Sequence, residues 1–496
     1  MRQSRFFPVL LTTFGIVAML PRLTSAAQSP ATPLPLDQLR LFAEVFGQIK
    51  REYVKLVDDD TLLTAAIKGM VSSLDPHSVY VDKTEFQESQ EQITGRFAGV
   101  GLEIGSEDRF IKIIDPIEDT PAFRAGIHSG DLITSIDNKS VNGMTINDAS
   151  ARLRGNPGTK VTLTLFRKSQ NRSFPVTLSR ALIKVQSVKA TVPAPGYAYV
   201  RITSFQERTT PDLATKLRAI ASQQPNLKGL ILDLRNNGGG LVESAVGVAG
   251  AFLPPNSIVV TTNGQAGYSK RAYRATYPDY RLPSFERDPL QNESPIFKKV
   301  PLIVLTNAYT ASASEIVAGA LQDASRATIL GKTTFGKGSV QTLVPMTRDS
   351  ALRLTTAYYF TPNGRSIQDI GIRPDIQIDQ YSDGDPDDAL ATREADVPNH
   401  LANIQDPNER EELEAREKDR IRNLHLYEEH TDAETPEQRR KNRERTSIEF
   451  GSSADFMLQQ ALNKLQGKAV LESRALPNGR LAQSDTPRLQ SEPEAH

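Results

Sequence analysis

Apolar residues recur at helical spacing in the first part of the chain. In LRLFAEVFGQIKREYV and TLLTAAIKGMVSSL they return every three or four positions, and Asp75-Pro76 follows as a stop. From Gly95 the pattern changes to short strands and turns, among them RFAGVGLEIG, DLITSID and VTLTLFRK, with one helical piece, NDASARLRG. The pattern predicts a helical segment over residues 28–94 and a small β-rich domain over residues 95–182.

The next region alternates continuous apolar strands with helices. YAYVRI, GLILDLR, VPLIVLTN and ATILG are the strands, and helices are expected near 211–223, 241–252 and 312–324. Unbroken apolar runs indicate strands that are covered on both faces, as in a sheet that lies between helices. We therefore predict an α/β core over residues 183–380.

Both flanks of this core carry amphipathic patterns. Residues 381–450 are charged and poor in large apolar side chains, which is typical of a flexible region, and residues 451–496 are predicted as an amphipathic helix with a disordered tail. The apolar faces of the two flanking helices need cover, either from the chain's own core or from another chain. The residues concerned are Leu39, Phe42, Val45, Phe46 and Ile49 in the first helix and Phe456, Met457, Leu458, Ala461 and Leu462 in the last.

The beginning of the chain has the features of an export signal. Arg2 and Arg5 precede the apolar run Val9 to Leu20, and the small residues Ser25-Ala26-Ala27 follow. We expect a signal peptide over residues 1–27; the alternative is an uncleaved membrane anchor. The chain has no cysteine, which excludes a disulfide framework and a thiol nucleophile. Its 59 basic and 59 acidic residues argue against a nucleic-acid partner.

The candidate chemistry lies in a stretch that has no histidine between His128 and His400. NAYTASASEI, residues 307–316, places Ser312 at an expected strand-to-helix turn, where the free Ala313 amide could stabilise an oxyanion. The glycines of NNGGG, residues 236–240, could supply a second amide, with Gly239 favoured and Gly240 as the open alternative. Without an imidazole, the base of a serine nucleophile would be Lys337 in TTFGKGSVQ.

Lys337 also lies in a string that resembles a phosphate-binding loop. GKTTFGKG has Gly338 where a magnesium-binding hydroxyl is needed, and a strand-like stretch follows where a helix is needed, so we reject the nucleotide interpretation. A lysine base must be neutral, and lowering its pKa from about 10.4 to near 7 takes roughly 4 to 5 kcal/mol of differential environment. Burial must supply most of it, and the Gln341 oxygen could hold the amine.

Taken singly, these motifs also fit simpler roles, namely a helix cap, a turn and a surface lysine. Their combination resembles the carboxyl-terminal processing peptidases. The motifs that carry the resemblance are SLDPHS at 73–78, FAGVGLEI at 97–104, DLRNNGGG at 233–240, TASASEIVAGALQD at 310–323, GKTTFGKGSVQ at 331–341 and TPNGRSIQDIGIRPD at 361–375. The resemblance implies that Ser312 is the nucleophile, Lys337 the general base and Gln341 the residue that orients it, with Gly239 and Ala313 as oxyanion donors. Thr310 departs from the more frequent serine.

The β-rich region resembles a PDZ domain inserted before the core. Its FAGVGLEI is similar to a carboxylate-binding loop, in which amides near Val100, Gly101 and Leu102 would hold a peptide carboxyl terminus. The resemblance further implies a crotonase-like α/β core, a periplasmic location, no cofactor or metal, substrates with free apolar carboxyl termini, a homo-oligomer, and a helical-repeat adaptor lipoprotein that delivers cell-wall hydrolases.

We therefore expect an exported serine endopeptidase that uses a Ser-Lys dyad. The alternatives are an inactive peptide-binding scaffold and an acyl-CoA enzyme of the crotonase kind. The intact Ser312, Lys337 and Gln341 argue against the first, and export argues against coenzyme A as a substrate.

Overall fold

A computed structural model describes residues 34–107, 109–117, 119–382, 391–403 and 450–471. The predicted signal peptide, most of the predicted flexible region and the chain after residue 471 lie outside the described residues. The chain divides into two compact units between Ala66 and Ile67. None of the described helices is both long enough and apolar enough to cross a membrane.

The first unit contains helix α1, Leu36–Glu52, and the second helix, α2, spans Asp59–Ser72. No residue of α1 is buried. Four residues of the apolar face predicted from its spacing, Leu39, Phe42, Val45 and Ile49, are exposed.

The β-rich domain is a six-stranded antiparallel sheet that follows helix α3, Lys83–Thr94. Its strands are β3 Leu102–Glu107, β4 Phe110–Pro116, β5 Leu132–Ile136, β6 Lys139–Ser140, β7 Lys160–Arg167 and β8 Arg172–Ser179, with helices α4 Pro121–Arg124 and α5 Ile146–Leu153. The sheet order is β3-β4-β5-β7-β8, and β6 pairs with β5. Strands β2 Arg96–Gly99 and β9 Ala181–Lys184 pair with each other where the chain enters and leaves the domain. We call this pair of strands the neck of the domain.

The core sheet has six strands in the order β10-β11-β12-β15-β16-β19. They are β10 Val188–Ala194, β11 Tyr197–Ile202, β12 Gly229–Asp233, β15 Leu302–Thr306, β16 Thr328–Gly331 and β19 Ile376–Gln377. All neighbours except β10 and β11 are parallel. Every residue of β12 and β15 is buried, which is why their sequences are unbroken apolar runs.

Helices of the core occupy the spans that the periodicity predicts to within a few residues. They are α6 Thr209–Gln223, α7 Val242–Phe252 and α9 Ala313–Asp323; the short helix α8, Tyr277–Tyr280, was not predicted. Alternate side chains of the sheet pack with α6, α7 and α9 in one apolar cluster that includes Phe205, Phe252 and Phe297. Because β12 and β15 are parallel neighbours, the loops after them emerge side by side at the carboxyl edge of the sheet.

A second, antiparallel sheet contains the segment of Lys337. It runs β1-β18-β13-β14, and β17 pairs with β18. The strands are β1 Val79–Val81, β13 Ile258–Asn263, β14 Arg271–Arg274, β17 Ser339–Pro345 and β18 Ala351–Phe360. A strand after Lys337, instead of a helix, agrees with our rejection of the phosphate-binding loop.

The last described helix, α10 Phe456–Leu465, packs on the core of its own chain. Met457, Leu458, Ala461 and Leu462 are buried against the other face of the core sheet. Of the two kinds of cover considered for this helix, the structure shows the chain's own core.

Candidate active site

Ser312 lies at the turn between β15 and α9, where its spacing had placed it. Its φ of 58° and ψ of −117° lie in a region that residues with a side chain rarely occupy, at a cost of about 1–3 kcal/mol. Such a turn presents a nucleophile at the end of a strand and turns the first helical amides toward the same space. Within the described residues, the Ala313 amide donates to no other group, as an oxyanion donor requires.

The glycine loop after β12 lies directly against this turn. A methyl group added at Gly239 would come within 2.7 Å of Ser312 Cβ and 2.9 Å of Ala313 N, so this approach needs glycine. The Gly239 amide, however, donates to Asn237 Oδ1 at 2.9 Å. This differs from the expectation that it is free, since an Asn side chain readily bonds the backbone two residues on. The amides of Gly238 and Gly240 donate to nothing in the described chain.

One buried carboxylate joins the serine turn to the lysine loop. The Glu315 carboxylate accepts four hydrogen bonds. The donors are the amides of Ser312 at 2.7 Å, Gly336 at 2.7 Å and Lys337 at 3.0 Å, and the Thr334 hydroxyl at 2.5 Å. Burial raises the pKa of the Glu315 carboxyl to about 7, although the four hydrogen bonds favour the ionised form and lower the pKa. The sequence analysis missed this residue because a Glu at the third helical position normally indicates only a helix cap.

The Lys337 amine has two acceptors in a half-buried position. It donates to Gln341 Oε1 and to the Ser339 carbonyl at 3.2 Å. Burial lowers the pKa of Lys337 from 10.5 to about 8, although Glu394, Glu315 and Asp75 favour the charged form. A neutral amine has two protons and one lone pair, so these bonds leave the lone pair open.

Tyr359 was also missed by sequence reasoning, and it touches both halves of the site. Its hydroxyl donates to the Lys337 carbonyl and is within hydrogen-bonding reach of the Ser312 side chain. Burial raises the pKa of Tyr359 well above its usual value, which keeps it a neutral donor. No hydrogen bond joins Ser312 Oγ to Lys337 Nζ, and such contacts often form only with substrate bound.

A segment that follows the α/β core in the chain packs against the loop that contains Lys337. Glu394, which is fully buried, accepts His77 Nε2 at 2.8 Å and Gln368 Nε2 at 3.1 Å, and its amide donates to the Phe335 carbonyl at 3.1 Å. It lies 57 residues after Lys337 in the chain, and no local pattern connects the two. It lies near enough to Lys337 to favour the ammonium form.

The predicted peptide loop of the β-rich domain has an open edge beside it. Strand β3 is the end strand of its sheet, and α5 packs near it. Among the described residues, the amides of Val100 and Gly101 donate to no group, while Leu102 begins β3. Gly101 has a φ of 83°, and a methyl group there would lie 2.3 Å from Thr120 Cβ. Free amides at the start of an open strand suit a peptide carboxylate.

This chain is similar to known peptidases over most of its length. The family model "Peptidase family S41" matches residues 196–378, and a carboxy-terminal-processing protease of Bartonella bacilliformis is 44% identical over 345 residues, which are 69% of this chain and 75% of that protein. The chain belongs to the carboxy-terminal processing protease family. It is a serine-type processing peptidase.

Two further family models match earlier parts of this carboxy-terminal processing protease. The "PDZ domain" model matches residues 112–167 and "Activating protease CtpB N-terminal domain" matches residues 20–85. Carboxy-terminal processing protease CtpA of Bacillus subtilis is 35% identical over 68% of each chain. The solved photosystem II D1 C-terminal processing protease is 29% identical, with 68% of this chain and 92% of that chain covered and a TM-score of 0.40.

Proposed function

We propose that the protease cleaves peptide bonds with Ser312 as nucleophile and neutral Lys337 as general base. The observation that carries this proposal is the pair of acceptors on the Lys337 amine, which leaves one lone pair, in a loop that Glu315 ties to the Ser312 turn. The lone pair takes the proton of Ser312 Oγ as the oxygen attacks the substrate carbonyl. The resulting ammonium then protonates the leaving amine, and water hydrolyses the acyl-enzyme by the same route.

The negative oxygen of the tetrahedral intermediate would accept one hydrogen bond from the Ala313 amide and a second from an amide of residues 238–240. Gly239 lies nearest to Ser312, but Asn237 must release its amide before it can donate. The free amides of Gly238 and Gly240 are the alternatives. The parallel core with its two loops at one sheet edge supports a crotonase-like fold. The intact serine and lysine argue against an inactive scaffold.

Activity should rise with pH through an apparent pKa of about 8, that of Lys337. Below that pKa, Lys337 is an ammonium without a lone pair, so kcat/KM falls about tenfold per pH unit; above it the rate levels off. Hydrolysis of a fluorogenic peptide and fluorophosphonate labelling of Ser312 should follow the same curve. Chelators should leave both unchanged. Loss of activity in a chelator that zinc restores would contradict the dyad and indicate a metallopeptidase.

We further propose that the PDZ domain captures free, apolar carboxyl termini of exported proteins. The open β3 edge and the unused amides of Val100 and Gly101 support capture, and the sequence before residue 28 supports export to the periplasm. Cell-wall hydrolases are candidate substrates, delivered by a helical-repeat adaptor lipoprotein. The exposed apolar face of α1 supports a homo-oligomer.

Amidating the carboxyl terminus of a peptide substrate should raise KM with little change in kcat, because the carboxylate loop loses its charged ligand. Gly101→Ala should remove the difference between the free and amidated peptides, since its methyl group meets Thr120. Gly126→Ala is the matched control, because it has a similar φ of 72° and open space around the added methyl group. Equal cleavage of both peptides by the unmodified protease would contradict carboxylate capture.

A further inference from the structure

The Gln341 side chain has one useful orientation beside a lysine base. With its oxygen toward Lys337 it accepts a proton from the amine, whereas with its nitrogen there it would donate into the lone pair that must receive the Ser312 proton. Gln341 Oε1 faces Lys337, and Nε2 donates to the hydroxyls of Ser339 at 3.0 Å and Thr355 at 3.1 Å. The hydrogen-bond partners of an amide decide which way it turns.

Of the two hydroxyls, only that of Thr355 can select the orientation. The Ser339 hydroxyl can rotate to accept from the amide nitrogen or donate to the amide oxygen. The Thr355 hydroxyl lies 3.1 Å from Asp75 Oδ1, and an ionised carboxylate can only accept. Its proton therefore points to Asp75, and only a lone pair faces Gln341.

Asp75 is held in its ionised, accepting form. Burial raises its pKa, but hydrogen bonds from Ser78, His77 and Thr355 together bring the pKa below its usual value. The amides of His77 and Ser78 donate to Oδ1 at 2.8 Å, and Ser78 Oγ donates to Oδ2 at 2.6 Å. Ser78 Oγ in turn accepts the Thr355 amide at 3.0 Å. The Ser78 hydroxyl also lies 3.4 Å from Thr355 Oγ1, but its single proton goes to the nearer Asp75 Oδ2, so a lone pair of the Thr355 oxygen stays open to Gln341.

We propose that Thr355 is a positioning residue of the protease site, because it relays the polarity of Asp75 to Gln341 and so holds the amide oxygen toward Lys337. The proposal rests on Lys337 as the general base. The relay connects the loop before β1, strand β18 and strand β17, which are neighbours in the antiparallel sheet. It also gives a role to the motif SLDPHS, which the function described above does not use.

Thr355→Val tests the relay, because valine has a similar shape but cannot accept from Gln341. We expect kcat to fall at least about tenfold with KM nearly unchanged, since the lone pair of the base becomes blocked. The apparent pKa of the activity curve should also move to lower pH, because an amide nitrogen beside the amine disfavours the ammonium. If the substitution only loosened the site and admitted water, the apparent pKa would instead move upward, toward the ordinary value of lysine.

Three further variants make the test specific. Thr355→Ser keeps the hydroxyl and should restore most of kcat and the original pH curve. Thr356→Val is the matched control, because its hydroxyl bonds Thr342 at 2.7 Å outside the relay, and we expect unaltered activity. Lys337→Ala tests the underlying dyad and should be inactive. Thr355→Ala, with the same expected shift, replaces the valine variant if that one fails to fold.

An unchanged rate and pH curve in Thr355→Val, or an upward shift of the apparent pKa, would overturn the relay while an inactive Lys337→Ala still supported the dyad. Activity that persists in Lys337→Ala would instead overturn the proposed function itself. Fluorophosphonate labelling of Ser312 across the same pH range reports the nucleophile without peptide binding, so a fall in labelling assigns the defect to the base.

Discussion

Replacing Ser312 or Lys337 by alanine should reduce kcat/KM for a peptide by a factor on the order of 10⁴ or more, and either single change should cost nearly as much as both together. In the proposed dyad the two groups act on one proton, so that removing one leaves only substrate binding and oxyanion stabilisation. The fold should persist, because Glu315 binds the backbone amides of both residues and those amides remain. Peptide hydrolysis measured beside circular dichroism and thermal melting checks both expectations.

Histidine variants provide the control for this experiment. A Ser-His enzyme would lose activity with its histidine, whereas we expect cleavage to survive at His77→Ala and His128→Ala. His128 is exposed in the PDZ domain and is the cleaner control. His77 bonds the buried Glu394 near Lys337, so its replacement alters the surroundings of the base without removing it. A histidine variant that folds but is inactive would contradict the dyad.

The sequence predicts the elements around the site because each one repeats a local pattern. Unbroken apolar runs mark β12 and β15, and the small residues of SASEIVAGAL mark the helix that begins after Ser312. Because these two strands are parallel neighbours, the glycine loop after β12 lies beside the serine turn after β15.

Other parts of the site could not be found from local patterns. Thr355, Tyr359 and Glu394 act through contacts between segments that are far apart in the chain, and each looks ordinary in its own segment. The occupied Gly239 amide was missed for a similar reason, since a run of glycines does not reveal which amide the preceding Asn binds. Polar contacts of this kind depend on the tertiary fold, whereas strands and helices follow the spacing of apolar residues.

The contact between the PDZ domain and helix α3 is another that the spacing of residues did not predict. Arg154, at the end of α5, forms an ion pair with Glu91 of α3 and lies 5.4 Å from the ring centre of Phe97 in the neck strand β2. Arg154 therefore makes its ion pair and its aromatic contact at the neck of the domain. The sequence shows only an arginine on a helix, a residue that is usually solvated.

Deleting residues 450–496 should destabilise the protease unit and reduce cleavage of protein and short-peptide substrates by the same factor. Among the residues that helix α10 buries are Met457 and Leu458, whose side chains each contribute roughly 1.5–3 kcal/mol. Its N-cap residue, Asp455, forms a buried, two-bond ion pair with Arg235 at 2.6 and 3.0 Å. The deletion removes this ion pair and leaves Asp233 as the carboxylate that Arg235 binds.

The loss reaches the active site because Arg235 begins the glycine loop. Arg235 also binds Asp233 at 2.8 Å and 3.0 Å, so the ion pairs fix the backbone from which residues 236–240 continue. Tyr199, whose hydroxyl donates to Asp233 at 2.6 Å, stacks on Phe450 with ring centres 5.0 Å apart, and that contact is lost as well. A less rigid loop weakens oxyanion stabilisation for every substrate alike.

Thermal melting, light scattering and two substrates together test this expectation. We expect the melting temperature to fall by about 10 °C or more, with an unchanged assembly mass. Removing only residues 472–496 keeps α10 and should leave all three readings unaltered, whereas Asp455→Ala in the full chain should reproduce much of the melting shift. If the deletion instead changes the mass, leaves the melting temperature intact and impairs only the protein substrate, α10 serves assembly or partner binding rather than the core on which it packs.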